Sequence, residues 1–81
     1  MIIVTDKETN NAVFGRCNTE AEAIDLIDSL IDEDYENEPD KTCSELLDWY
    51  EVLITEGEEH NETLIERRTP YLNEYNEISI F

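Results

Sequence analysis

Thr19-Glu20-Ala21-Glu22-Ala23-Ile24-Asp25-Leu26-Ile27-Asp28-Ser29-Leu30-Ile31-Asp32-Glu33 is the stretch on which the fold turns. Thr19 reads as an N-cap and Glu22, three residues on, completes a capping box, so a helix is expected from about Glu20 to Glu33. Ala23, Ile24, Leu26, Ile27, Leu30 and Ile31 recur at 3.6-residue periodicity on one face, while Glu22, Asp25, Asp28 and Asp32 fall on the other. Ile24, Ile27 and Ile31 are therefore expected to face a sheet, and the acids to form a solvent stripe.

Upstream of this helix, Ile2-Ile3-Val4-Thr5 and Asn11-Ala12-Val13-Phe14-Gly15-Arg16 are strand-like, and the polar Asp6-Lys7-Glu8-Thr9-Asn10 between them suits a hairpin connection. Downstream, Asp32 to Asp40 reads Asp-Glu-Asp-Tyr-Glu-Asn-Glu-Pro-Asp, and Pro39 forbids helical continuation, so a loop is expected. Residues 44–55 carry two competing patterns. Thr42 with Glu45, the apolar Leu46, Leu47, Tyr50, Leu53 and Ile54, and a glycine at position 57 favour a helix. Trp49 through Thr55 is rich in residues that favour strands. The matched start and stop signals tip the reading to the helix.

Past Gly57, Glu58-Glu59-His60-Asn61 connects to a strand at Thr63-Leu64-Ile65-Glu66-Arg67-Arg68, which Thr69-Pro70 breaks. Glu77-Ile78-Ser79-Ile80-Phe81 alternates and is expected to close the antiparallel sheet, with Ile78 and Ile80 on one face and Ser79 and Phe81 on the other. The fold class is α+β: one acidic domain over residues 1–81, with a small antiparallel sheet of about four strands and one or two helices packed on one face.

Charge dominates the composition, with 22 Asp plus Glu against 5 Lys plus Arg and a formal charge of −17 on 81 residues. Such composition accompanies disorder, but 40% of the residues are apolar and fall in patterned runs, with Trp49, four Tyr and two Phe available for a core. The chain is read as folded. The opening Met1-Ile2-Ile3-Val4-Thr5 lacks a basic region followed by a long apolar one, so neither a signal peptide nor a membrane span is expected. A cytosolic setting with reduced thiols follows, in which Asn61-Glu62-Thr63 is a chance match to a glycosylation sequon.

No catalytic motif stands out. A nucleophile needs a positioned base, and the only histidine, His60, lies in a polar connecting segment and is read as a surface residue. Among so many carboxylates any pair arises by chance, and an enzyme is not expected. Taking Asp34 as the first position of a calcium loop puts Glu36, Glu38 and Glu45 at the third, fifth and twelfth, but Pro39 falls where the turn needs glycine. A loop begun at Asp32 ends on Cys43. Cys17 and Cys43, which allow a single intramolecular pairing, lack the further Cys or His ligands of a zinc site. No metal site or cofactor is expected beyond loose attraction of divalent cations.

Direct nucleic-acid binding needs clustered Lys and Arg, and only Arg67 and Arg68 are adjacent. The same field attracts proteins that themselves bind nucleic acid. Duplex DNA presents one phosphate per about 3.4 Å along each strand, and a helix rising 1.5 Å per residue sets carboxylates three or four residues apart at roughly 4.5 to 6 Å. Glu22, Asp25, Asp28 and Asp32 make such a row, which Glu33, Asp34, Glu36, Glu38 and Asp40 extend. With Tyr35, these are the candidate partner-binding residues.

By size, acidity, scarcity of lysine and these carboxylate rows, the chain resembles the small acidic inhibitors encoded by phages and mobile elements, the anti-restriction and anti-CRISPR DNA mimics. The resemblance implies a non-enzymatic inhibitor in the host cytoplasm that occupies the basic surface of a nuclease or other DNA- or RNA-binding protein, such as a CRISPR effector or a restriction enzyme. These inhibitors share no fold, so no residue role carries over by alignment.

Two other readings compete. In the first, an acidic adaptor or antitoxin-like module binds one basic protein without mimicry, using exposed aromatics; Trp49 and Tyr50 are assigned to the core, Tyr35 and Tyr75 to an interface. The second is salt adaptation, which also yields acidic, lysine-poor surfaces. Nine isoleucines and seven asparagines fit that adaptation poorly.

Overall fold

The computed structural model describes residues 1–9, 12–58 and 61–81. Asn10, Asn11, Glu59 and His60, on which parts of the expected hairpin connection, strand and polar connection fall, lie outside the described residues. The elements run β1 (Ile2–Asp6), β2 (Val13–Cys17), α1 (Glu20–Asn37), α2 (Cys43–Leu47), β3 (Tyr50–Glu56), β4 (Thr63–Arg68), β5 (Tyr71–Leu72) and β6 (Ile78–Ser79). The architecture is α+β, with a four-stranded antiparallel sheet in the order β2-β1-β3-β4.

Apolar content sets the strand order. β1, the most continuously apolar strand, lies inside the sheet and buries Ile2, Ile3, Val4 and Thr5. The edges fall to β2 and to β4, whose Glu66, Arg67 and Arg68 suit an exposed strand. Ile2 and Val4 sit opposite Ile54 and Val52 on the inner face of the sheet. There they join Ala23, Ile27 and Ile31 of α1 and Leu46 and Leu47 of α2 in one cluster. Gly15 lets β2 approach α1, because a Cβ added there would lie 2.5 Å from Leu26 Cδ2.

Both helix starts form through the expected side chains. The Glu22 N–H donates to Thr19 Oγ1 at 3.2 Å, and the Glu45 N–H donates to Thr42 Oγ1 at 3.2 Å. The helix ends depart from expectation. α1 continues to Asn37 instead of stopping at Glu33, so the acidic run expected as a loop is mostly helical. Asp34 and Tyr35 supply the reason, since each finds a partner on the inner side of the helix, as described below. Pro39 acts only beyond the C-cap Glu38.

α2 is a single turn ending at Leu47, after which the chain enters β3, so the helix favoured over residues 44–55 is confined to its first part. The strand preference of Tyr50 through Thr55 wins because β1 offers a full antiparallel partner for it, Ile2 to Asp6 against Ile54 to Tyr50. Gly57, at φ 108°, turns the chain out of β3 instead of ending a helix, and a Cβ there would lie 2.6 Å from the Asn61 carbonyl oxygen.

The C-terminal segment does not close the main sheet. β6 pairs with β5 in a separate two-stranded sheet. Its turn is held by Asn73, whose side-chain oxygen accepts from the N–H groups of Tyr75 at 2.9 Å and Glu77 at 3.0 Å, with Asn76 left-handed at φ 60°. Two residues are too few to add to the wide sheet, but they deliver Ile80 into the main core, where it is 1% exposed.

Ile27→Ala and Ile80→Ala should each cost about 2–5 kcal/mol, a large share of the stability of so small a domain. Urea denaturation checks both. A neutral Ile80→Ala would contradict the placement of the C-terminus in the core.

Candidate functional site

Charge is distributed unevenly over this scaffold. On the outer face of the sheet, register places Arg16 and Leu53 beside Ile3, and Arg67 beside Leu53. Arg16 pairs with Glu62, and Arg67 with Glu51 at 3.4 Å. Arg68, on the edge strand, pairs with Glu66 at 2.9 Å and lies 5.2 Å from the centre of the Phe81 ring. Every arginine of the chain thus neutralises an acid of the sheet or its connections. α1 contains no Lys or Arg and, among the described residues, none of its carboxylates enters an ion pair.

The helix sorts the expected partner-binding residues by angle. Glu22, Asp25, Asp28, Asp32 and Glu36 are exposed and follow one another at three- or four-residue steps along the outer side. Glu22 also reaches back past the N-cap, its carboxylate accepting from the Asn18 N–H at 3.4 Å. Glu33 is exposed on the flank, and Glu38 and Asp40 are exposed just past the helix end. Asp34 leaves the row, and Tyr35 turns inward beside it. Asp34 is half-buried and accepts a hydrogen bond from the Tyr50 hydroxyl.

Tyr35, expected as an interface residue, is half-buried and packs on the core. Burial pushes its hydroxyl pKa up, with further contributions from Cys43 and Asp32. Tyr75 is 73% exposed, and Trp49, expected in the core with Tyr50, is 39% exposed while Tyr50 is buried. Cys17 and Cys43 are free thiols. Burial, then the charge of Glu22, raises the Cys17 pKa and leaves less thiolate at neutral pH.

Sequence reasoning missed a cleft of about 590 Å³ that opens beside the C-terminal half of α1. Its walls come from three parts of the fold: Asp6 at the end of β1, with Lys7 and Glu8 after it and Phe14 of β2; Leu30, Glu33 and Asp34 of α1; and Asp48, Trp49 and Tyr50 leading into β3. A bulge in β2 opposite the Val4–Thr5 step displaces Phe14, whose ring meets Tyr50 edge to face at 5.4 Å. The Lys7 N–H donates to the Trp49 carbonyl at 3.0 Å, tying the first and third parts together. Only the density of acids near Asp34 hinted at this place.

Among the described residues, no group of three or more His, Cys, Asp or Glu is arranged to hold a metal ion, and no helix is long and apolar enough to cross a membrane. Comparison with protein-family models, with curated proteins and with solved structures finds no match to this chain.

Burial, the hydrogen bond to Asp34 and the charges of Asp34, Glu33 and Asp6 push the Tyr50 hydroxyl well above its ordinary pKa of 10.0. Above that pH the unfolded chain has lost the Tyr50 proton and the folded chain has kept it, so its contribution to stability should fall by about 1.4 kcal/mol per pH unit. Below that pH the contribution is complete. Urea melts between pH 8 and 11 should therefore show a steeper loss of stability for the natural chain than for Tyr50→Phe; equal slopes would contradict the assigned shift.

Proposed function

We propose that this chain is a non-enzymatic inhibitor that binds the basic nucleic-acid-binding surface of a nuclease or another DNA- or RNA-binding protein, with the carboxylates of α1 standing in for phosphates. One observation carries the reading: the arginines are spent on the sheet side, while the outer row of α1 has no counter-charge among the described residues. An acidic surface shaped only for solubility intersperses both signs.

The row also works against the helix that carries it. Like charges one turn apart cost about 0.2–0.5 kcal/mol per pair, and acids in the last turn oppose the helix dipole, where α1 has no basic residue. A costly arrangement on an ordered, capped helix favours a role in binding. A negative stripe of this kind steers a basic partner and speeds its association. Host cytoplasm is where such a target would be met, and anti-CRISPR and anti-restriction DNA mimics are the class that this role resembles.

Capture from a bacterial lysate at low salt, followed by competition with DNA and RNA, tests the proposal. Mutual exclusion between nucleic acid and this chain is expected; a ternary complex would favour an adaptor or an allosteric inhibitor. Replacing Asp25, Asp28 and Asp32 with Asn, and Glu36 and Glu38 with Gln, should weaken capture at least about tenfold and leave the fold as stable or more so. Unchanged capture by the folded variant would sink the site assignment. The chain should fold without added salt and lose its partner as salt rises, whereas a need for molar salt to fold would mark salt adaptation.

A further inference from the structure

We propose that the cleft between the β1–β2 turn, α1 and the start of β3 receives one arginine side chain of the basic partner. This rests on the reading of a basic partner and names how that partner is anchored.

The walls combine two chemistries that a guanidinium uses together. Phe14 and Trp49 remain 42% and 39% exposed although both line a concavity, and Tyr50, in edge-to-face contact with Phe14, belongs to the same lining. Flat aromatic surface of this kind stacks on a planar, weakly hydrated guanidinium. Carboxylates surround it: Asp6, Glu8, Glu33, Asp34 and Asp48.

Two of these acids are already held in place. Asp6 accepts from the Glu8 N–H at 3.1 Å and the Thr9 hydroxyl at 3.4 Å, and Asp34 accepts from Tyr50. Glu8, Glu33 and Asp48 make no side-chain hydrogen bond or ion pair among the described residues, which leaves acceptors for the several N–H donors of a guanidinium. Glu33 and Asp34 also sit near the C-terminal, negative end of α1.

Other cations fit less well. A hydrated divalent ion gains nothing from the aromatic walls, and these carboxylates are not grouped to coordinate one. A lysine ammonium is a compact, strongly hydrated point charge that stacks poorly. Lys7 already lines the cleft, so an incoming arginine displaces its charge toward solvent or shares the acids with it. Arginine is also what phosphate-binding surfaces supply, because its fork matches phosphate and carboxylate alike.

The test titrates the isotope-labelled full chain with Nα-acetyl-arginine amide at low salt, alongside the lysine and citrulline analogues, and follows the Trp49 indole and the amides of Phe14 and Asp48 by NMR. Saturable shifts at these groups are expected with arginine, at least about threefold weaker binding with lysine, and none with neutral citrulline. Trp49→Ala should lower arginine affinity about tenfold, and Lys7→Gln should raise it. Asp48→Asn gives a second reading should the tryptophan variant not fold. Unsaturated shifts scattered along the outer row of α1, or equal responses to the three amides, would overturn the proposal.

The two readings fail separately. If arginine fills the cleft but neutralising the outer row leaves partner capture unchanged, the mimicry reading falls and the cleft stands. If capture depends on the outer row but the cleft ignores arginine, only the cleft assignment falls.

Discussion

The seating of Ala23, Ile27 and Ile31 against Ile2, Val4 and Val52 is the contact on which the rest of this chain depends. It fixes which side of α1 is inward, and so which carboxylates face water. It also supplies much of the apolar burial that offsets self-repulsion in a chain of net charge −17. Gly15 permits the approach of β2 to the helix, α2 contributes Leu46 and Leu47, and the C-terminal segment fills the remaining core with Ile80.

Charge follows from that seating. The inner side of α1 retains one acid, Asp34, and it is satisfied by a hydrogen bond from Tyr50, a polar contact at the edge of the core. Elsewhere the basic residues divide the surface. Arg16, Arg67 and Arg68 balance acids on the sheet and its connections, and the helix is left with one sign of charge. That asymmetry distinguishes this surface from a uniformly acidic one. The cleft lies where the helix end, the hairpin turn and the start of β3 converge, continuous with the acidic side through Glu33.

Much of this was legible in the sequence where a local rule and the tertiary context agreed. The capping box at Thr19 and the period of the isoleucines placed α1 and its inner face, and the short strands placed the sheet. Local rules failed where a distant partner outbid them. The helix signals around Thr42 and Gly57 describe a possible helix, but pairing with β1 is available only in three dimensions and draws Tyr50 through Thr55 into a strand. The same holds at Asp34 and Tyr35, whose inward turn depends on Tyr50 and the core, so that two of the ten candidate partner-binding residues turn away from the outer side. The cleft was illegible for a related reason: Phe14, Glu33 and Trp49 are far apart along the chain and meet only because a strand bulge and the short α2 bring them together.

The measurement that bears most directly on this account is the footprint of a captured basic protein on this chain, read as amide protection from hydrogen exchange or as NMR line broadening. The footprint should cover the outer side of α1 from Glu22 to Glu36 and the surroundings of Trp49, leaving the face of Arg16, Leu53 and Arg67 untouched. A footprint on that arginine-bearing face, with α1 still free, would contradict it.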